Sequence, residues 1–122
     1  MTECKFLAQV LQLAKLYGWK TFHCRPARTA NSWRTPVQGD GKGFPDLVLV
    51  KGDRLLFAEL KASKGRTTLE QDDWLAALGA VPGVSVHLWR PEDWGAILTQ
   101  IVPSPGTGPR SGSASQDRAA SL

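Results

Sequence analysis

Hydrophobic and polar positions at the start of the chain predict a helix followed by a strand. Apolar residues recur at helical spacing through residues 2–17, with Thr2 placed to cap the first turn and Gly18 just beyond the last. Residues 19–24 (WKTFHC) then alternate in polarity and are rich in aromatic and β-branched side chains. That pattern is typical of a strand, so we expect an amphipathic helix beside a β-strand.

The middle of the chain predicts a long loop and then a β-hairpin. Residues 25–44 contain two prolines and three closely spaced glycines, and loops of this length inside a compact domain are usually functional. Residues 46–51 (DLVLVK) form a nearly continuous apolar run, which indicates a strand covered on both faces. A tight turn at Gly52 would pair this strand with residues 54–61 (RLLFAELK).

Residues 67–79 are predicted to form a second helix. Two overlapping capping boxes fit its start, Thr67 with Glu70 and Thr68 with Gln71, and the pattern leaves the choice between them open. The apolar residues expected on its buried face are Leu75 and Leu78.

The rest of the chain predicts one more strand, a short helix and a tail. Residues 84–89 form the strand, and Pro91 opens a helix that runs to about Ile101. The order is helix, strand, strand, strand, helix, strand, helix. Because no helices separate the first strands, we expect an α/β fold with a mixed β-sheet flanked by helices. Residues 103–122, rich in Pro, Gly and Ser, are expected to be a disordered tail on one domain of residues 2–102.

Composition and charge are compatible with a nucleic-acid partner but do not require one. Apolar residues make up 42% of the sequence, enough for a core, and the formal net charge is +4. In the long loop several basic residues accompany a single acid, Asp40. A solvated loop explains this excess as well as a DNA-binding loop does. The basic residues of the loop are Arg25, Arg28, Arg34 and Lys42.

The cysteines and the longest apolar runs argue for a cytoplasmic protein. Cys4 and Cys24 form neither a CxxC pair nor a disulfide framework, and His23 does not complete a zinc-binding pattern with them. Free thiols indicate a reducing compartment. No apolar run approaches the roughly 20 residues that a membrane span needs. We therefore expect no membrane association.

Charged side chains gather at one end of the predicted hairpin. Side chains along residues 54–61 alternate between two apolar faces, and one face ends with Glu59 and Lys61. A turn at Gly52 places Asp46 near that same end. Two carboxylates and a lysine suit metal-assisted phosphodiester hydrolysis, because carboxylate oxygens hold Mg²⁺ and a lysine stabilises the developing negative charge.

These residues resemble a known family. Gly43-Phe44-Pro45-Asp46, then Glu59-Leu60-Lys61 and then Gln71, is similar to the pattern of the PD-(D/E)XK nuclease superfamily and, more narrowly, of its VRR-NUC family in the small stand-alone form found in phages and bacteria. A lone ExK would be a weak signal, whereas GFPD before an apolar strand, a short turn, ELK and a following glutamine is specific. The resemblance covers residues 2–95 and implies a restriction-endonuclease-like core.

The resemblance implies a role for each matching residue in a metal-dependent endonuclease. Asp46 and Glu59 would bind Mg²⁺ or Mn²⁺, and the backbone carbonyl of Leu60 would complete the metal site. Lys61 would position the attacking water.

Glu3 and Gln71 each have two interpretations. Glu3 falls on the apolar face of the first helix and so points toward the core, but an acid in a first turn is also favoured by the helix dipole. Gln71 shares a face with Leu75, yet it is also a capping residue. The resemblance favours Glu3 as a further metal ligand, directly or through water, and Gln71 as a side chain that lines the site.

The resemblance also implies DNA as the partner. Stand-alone members are similar to Holliday-junction-cleaving enzymes that act as homodimers, so we expect branched DNA and a homodimer, since two symmetric cuts need two active sites. The setting would be the cytoplasm of a bacterial or phage-infected cell. Trp33 is a candidate for stacking on a base. The candidate phosphate contacts are Arg25, Arg28, Arg34, Lys64 and Arg66.

Two other functions fit parts of the sequence. A non-catalytic nucleic-acid-binding module would use Glu59 and Lys61 only as a structural ion pair. A nucleotide-binding loop is suggested by residues 39–43 (GDGKG), but a P-loop requires Ser or Thr after Lys42 and a glycine where Val37 stands. We therefore reject the nucleotide-binding loop and keep the binding module as the alternative.

Overall fold

The computed structural model of the protein describes residues 1–24, 27–28, 33–34 and 41–103. Its elements follow the chain in the order helix, five strands, helix, strand, 3-10 helix and helix. They are α1 (Glu3–Leu16), β1 (Lys20–His23), β2 (Ala27–Arg28), β3 (Trp33–Arg34), β4 (Leu47–Lys51), β5 (Arg54–Leu60), α2 (Leu69–Gly79), β6 (Val84–Trp89), the 3-10 helix Pro91–Asp93 and α3 (Trp94–Ile101). Within the described residues, no helix has the length and apolar character to cross a membrane.

Four strands form one mixed sheet in the order β1-β4-β5-β6. The β1–β4 and β4–β5 pairs are antiparallel, and β5 pairs with β6 in parallel through the crossover helix α2. The predicted α/β fold, a mixed β-sheet flanked by helices as in a restriction-endonuclease-like core, is therefore confirmed.

The predicted loop of residues 25–44 is not wholly irregular. It contains β2 and β3, which pair with each other as a separate two-stranded antiparallel sheet. Each of these strands has only two residues, too few for alternating polarity to be visible in the sequence. The prediction of a continuous loop was wrong at this point.

The main hydrophobic core lies on one face of the sheet. The buried apolar residues of β4 and β5 alternate along each strand, because alternate side chains of a strand point to the same face. Helix α1 contributes its residues at helical spacing, and α3 contributes two isoleucines. The core residues are Phe6, Val10, Ala14, Trp19, Leu47, Leu49, Leu56, Ala58, Leu60, Trp89, Ile97 and Ile101.

Helix α2 is packed less deeply than its sequence predicts. None of its residues is fully buried, and Leu75 and Leu78 are only half-buried. Its contact with the rest of the domain includes Trp74, whose ring meets the ring of Phe44 edge-on with the centroids 5.0 Å apart. A helix on the outside of a sheet keeps part of even its inner face in solvent. The expected buried face is therefore only partly buried.

The β4–β5 turn is tied to the C-terminal ends of two helices. Lys51 Nζ donates to the carbonyl of Tyr17, 2.6 Å away, just past α1. Arg54 donates to the carbonyl of Gln100 in α3 at 2.8 Å. Cations are favoured at these positions because the last carbonyls of a helix lack partners within the helix. These contacts hold the turn end of the hairpin, and the opposite end is left to form the candidate site.

Candidate active site

The hairpin register brings the two predicted carboxylates together. Gly52, at a φ of 60°, makes the tight turn, and Leu47 pairs with Ala58. Asp46 lies one residue before Leu47 and Glu59 one residue after Ala58, so the two acids are neighbours at the open end of the hairpin. This placement follows from the turn position that the sequence predicts.

Glu59 is a buried carboxylate whose two oxygens have different surroundings. Its side chain is 2% exposed. Oε2 accepts a hydrogen bond from Gln71 Nε2 at 2.9 Å and lies 3.6 Å from Lys61 Nζ. Oε1 is fully buried and has no hydrogen-bond partner among the described residues. A buried, unpartnered carboxylate oxygen is costly, so this atom is poised to accept a cation or a proton.

Asp46 is held in place by the backbone of the neighbouring strand. Its Oδ2 accepts a hydrogen bond from the Leu60 amide at 2.9 Å. This bond fixes one oxygen of Asp46 beside the strand that carries Glu59. The residue whose carbonyl was predicted to be a metal ligand, Leu60, is therefore also the residue that anchors Asp46.

Burial raises the pKa of both carboxyl groups, and the charge of Asp46 further disfavours the ionisation of Glu59. Burial, and then the charge of Asp46, raise the pKa of Glu59 to about 7, against the lowering effect of Lys61. Burial also raises the pKa of Asp46, and the Leu60 amide opposes this shift. Two desolvated acids side by side require either a proton or a cation between them.

The site fits a divalent cation that keeps part of its water shell. The unpartnered Oε1 of Glu59 and the carboxyl of Asp46 supply the hard oxygen ligands that Mg²⁺ prefers. The described residues include no group of three or more His, Cys, Asp or Glu side chains that could hold a metal ion. Two carboxylates, a backbone carbonyl and waters are nevertheless a sufficient shell for Mg²⁺.

Lys61 lies two residues after Glu59, just beyond the end of β5, and its side chain is mostly buried. Its side chain is 14% exposed, and its amide donates to the Trp89 carbonyl at 3.0 Å, which continues the β5–β6 pairing. The ammonium is therefore held beside the carboxylates. From there it can donate to a water or a phosphate oxygen that enters the site.

Gln71 serves both of its predicted purposes at once. Its side-chain Oε1 accepts a hydrogen bond from the backbone amide of Thr68 at 2.9 Å. The Thr68 hydroxyl accepts one from the backbone amide of Gln71, so this pair forms the capping box. The nitrogen of the Gln71 side-chain amide, Nε2, donates to Glu59. The capping box that forms is therefore the one based on Thr68 and Gln71, not the one based on Thr67 and Glu70, and it leaves Nε2 of Gln71 directed at the buried carboxylate.

Glu3 lies at the rim of the site and not in the core. Its side chain is exposed, contrary to the prediction that it points inward, because it stands at the first position of α1 beyond the core contacts. It shares a pocket of about 310 Å³ with Asp46, and its charge contributes to the raised pKa of Asp46. The structure therefore leaves Glu3 within electrostatic reach of the carboxylates.

The pocket also contains residues that sequence reasoning did not assign to the site. His23 ends β1 and lines the pocket with Asp46, and its charge lowers the pKa of Asp46. Cys4 and Cys24 line the same pocket. The sequence spacing of these residues does not complete a zinc-binding pattern and does not show that they share a pocket. Their common location depends on the β1–β4 pairing and on the packing of α1, which the sequence pattern does not specify.

The GFPD segment owes its composition to packing around the site. Gly43 has a φ of 87°, and a Cβ there would lie 2.6 Å from the Glu70 carbonyl carbon and 2.8 Å from the Gln71 amide nitrogen. The glycine thus permits the close approach of this segment to α2. Phe44 packs edge-on against Phe57, with the ring centroids 5.8 Å apart. This packing orders the chain immediately before Asp46.

The candidate DNA contacts are only partly described. Lys64 and Arg66 are exposed in the segment that follows β5. Arg28 and Arg34 lie in β2 and β3, and their side chains, like that of Trp33, are outside the described part of the structure. Arg25 and residues 104–122 of the expected tail also lie outside the described residues.

Comparison with known proteins identifies a family. The family model described as the VRR-NUC domain matches residues 4–89, more than half of the chain. The match includes Asp46, Glu59, Lys61 and Gln71, whereas Glu3 and α3 lie outside it. A comparison with curated proteins found no match, and neither did a comparison with solved structures.

Proposed function

Because the chain belongs to the VRR-NUC family, whose domain is a nuclease domain that acts on DNA, we propose that it is a metal-dependent endonuclease that hydrolyses DNA phosphodiester bonds with Mg²⁺ or Mn²⁺. One observation carries the metal requirement. Glu59 is buried beside Asp46, and its Oε1 has no hydrogen-bond partner among the described residues. A cation at this atom would offset the cost of the buried charge.

Each residue of the site has a distinct part in the proposed reaction. Asp46, Glu59 and the Leu60 carbonyl would hold the cation, and Glu3 would reach it through water. A bound cation would supply a water of lowered pKa and stabilise negative charge on the phosphate. Lys61 would orient the attacking water and stabilise the charge that develops on the phosphate oxygens.

The Gln71 hydrogen bond orients Glu59 for that task. The amide occupies Oε2, where Lys61 also lies, and so directs the remaining oxygen, Oε1, toward a cation. Metal ligands in proteins commonly depend on such a supporting hydrogen bond, and its loss lowers metal affinity. We therefore expect the loss of the Gln71 side chain to lower the affinity for the metal more than the affinity for DNA.

The preferred substrate is proposed to be branched DNA, cut by a homodimer in the cytoplasm of a bacterial or phage-infected cell. The described residues of one chain form one such site, and two symmetric cuts in a four-way junction need two. Arg25, Arg28, Arg34, Lys64 and Arg66 are the proposed phosphate contacts. Gel filtration with light scattering tests the dimer, which is refuted if the protein stays monomeric at micromolar concentration and on junction DNA.

The alternative is a nucleic-acid-binding module without catalysis. Clustered carboxylates repel a polyanion unless a cation lies between them, so a module of this kind gains nothing from Asp46 and Glu59. The buried position of Glu59 adds a folding cost that a binding module has no need to bear. Metal-dependent cutting separates the two functions.

The experiment is a cleavage assay on a four-way junction, a flap, a duplex and a single strand. Each substrate is incubated with Mg²⁺, Mn²⁺ or EDTA and with wild type, Lys61→Ala or Lys20→Ala. Lys20 is an exposed lysine at the far end of β1, so its variant controls for the loss of one positive charge. We expect metal-dependent cutting that Lys61→Ala abolishes and Lys20→Ala retains. Binding without cutting by wild type would favour the non-catalytic module.

A further inference from the structure

The turn that follows β5, residues 62–65, is fastened to the start of the 3-10 helix. Within this turn the Gly65 amide donates to the Ala62 carbonyl at 2.9 Å. Arg90 Nη1 donates to two carbonyls of the turn, to that of Ala62 at 2.9 Å and to that of Gly65 at 2.6 Å. A single guanidinium nitrogen thus joins the two ends of the turn.

A second contact holds the same two segments together. Ser63 Oγ donates to Glu92 Oε1 at 2.8 Å. The Arg90 amide in turn donates to Asp93 Oδ2 at 2.8 Å, which fixes the backbone from which the arginine extends. The 62–65 turn is therefore braced at two points by residues that follow β6.

The braced turn passes close to the side chain of Lys61. A Cβ added to Gly65 would be 3.5 Å from Lys61 Cδ, an ordinary contact distance, so the Gly65 backbone lies about one atom's width from the aliphatic stem of the lysine. At the other end of that stem, Nζ lies 3.6 Å from Glu59 Oε2. Moving the turn would release the stem of a flexible four-carbon side chain.

We propose that Arg90 is a positioning residue for Lys61, and this inference rests on the proposed nuclease function. Arg90 fixes the 62–65 turn, which begins directly after Lys61 and passes close to its stem, and so keeps the ammonium beside Glu59. Because both of the arginine's described contacts from Nη1 go to backbone carbonyls, its effect on the reaction runs through Lys61 and not through DNA binding. Arg90 lies just beyond residues 4–89, the segment that the family model matches.

The test separates cleavage rate from DNA affinity. Single-turnover cleavage at saturating DNA is measured with Mg²⁺, and the DNA dissociation constant is measured with Ca²⁺, for wild type, Arg90→Gln, Arg90→Lys and Arg54→Gln. Arg54 is the matched control, because it also donates to a backbone carbonyl, that of Gln100, but at the opposite end of β5. Thermal melts and circular dichroism establish that each variant is folded at the assay temperature.

We expect Arg90→Gln to cut about 10- to 100-fold more slowly, as small displacements of a catalytic group do, with DNA affinity within about twofold of wild type. Arg90→Lys, which keeps one donor group, should recover part of the rate, and Arg54→Gln should cut at the wild-type rate. Hydrogen exchange of the Gly65 amide should quicken in Arg90→Gln but not in Arg54→Gln.

Three outcomes overturn the inference. A wild-type cleavage rate in folded Arg90→Gln means that the position of Lys61 does not depend on the Arg90 hydrogen bonds to the 62–65 turn. A loss of DNA affinity that matches the loss of rate means that Arg90 acts on binding. An equal loss of rate in Arg54→Gln means that general destabilisation is responsible. If wild type cuts no DNA at all, the proposed function itself has failed, which the wild-type measurement shows separately.

Discussion

The raised pKa of Glu59 predicts an unusual dependence of stability on pH. Its ordinary pKa of 4.5 rises to about 7 in the folded protein. Below about pH 4.5 the folded and unfolded chains both carry the proton, and the group has no effect. Between the two pKa values the unfolded chain ionises first, so the folded state loses stability as pH rises, and above about pH 7 the loss is complete.

The size of this effect follows from the shift. One pKa unit corresponds to about 1.36 kcal/mol, so a shift from 4.5 to about 7 costs the folded state about 3 kcal/mol at alkaline pH. Glu59→Gln carries no ionisable group and does not bear this cost. We expect the variant to exceed wild type in stability by up to about 3 kcal/mol at about pH 8 and to match it closely at about pH 4.

Urea unfolding at several pH values in EDTA measures the difference between wild type and Glu59→Gln. Adding Mg²⁺ should shrink that difference, because a cation stabilises the ionised carboxylates of wild type and not the introduced amide. Glu70→Gln is the matched control, since Glu70 is exposed. A hydrogen bond from its own backbone amide, and next the charge of Lys42, lower the pKa of Glu70. A difference for Glu59→Gln that stays constant with pH would refute the reasoning, and so would an equal rise for Glu70→Gln.

Three further predictions concern packing, the capping glutamine and the DNA surface. Gly43→Ala should destabilise the fold by roughly 1–3 kcal/mol, because its Cβ would meet the α2 backbone at a positive φ. Thermal melts measure this loss. In them the control Gly79→Ala, with open space around its Cβ, should be neutral or stabilising. Gln71→Ala should cost roughly 1.5–3 kcal/mol more than Thr68→Ala, since it removes a hydrogen bond to a buried carboxylate as well as the cap; equal losses would contradict this. Trp33→Ala should weaken DNA binding in a fluorescence titration without changing the melting temperature, and unchanged affinity would exclude base stacking by this residue.

Much of the site could be predicted because it depends on contacts between residues close in the chain. The tight turn at Gly52 determines the β4–β5 register, and the register places Asp46 beside Glu59. Alternation along β5 then places Leu56 and Ala58 in the core. No long-range information is needed for these steps.

The rest could not be predicted because it depends on how separate elements pack. The two capping registers at the start of α2 are equivalent in the sequence, and the hydrogen bond from Gln71 to Glu59 across the fold distinguishes them. Glu3 reads as core-facing by periodicity but lies past the end of the packed part of α1. Periodicity specifies which side of a helix faces inward, not how far along the helix the core extends.

The helices, the hairpin and the acidic pair could be predicted from the chain's residues alone, since propensity, periodicity and turn chemistry act over a few neighbouring residues. The pocket that His23 shares with Asp46 and the hydrogen bonds from Arg90 to the turn after Lys61 depend on tertiary contacts. Those contacts require β1 to pair with β4 and β5 to pair in parallel with β6. Such pairings join residues far apart along the chain, and the whole core decides them together.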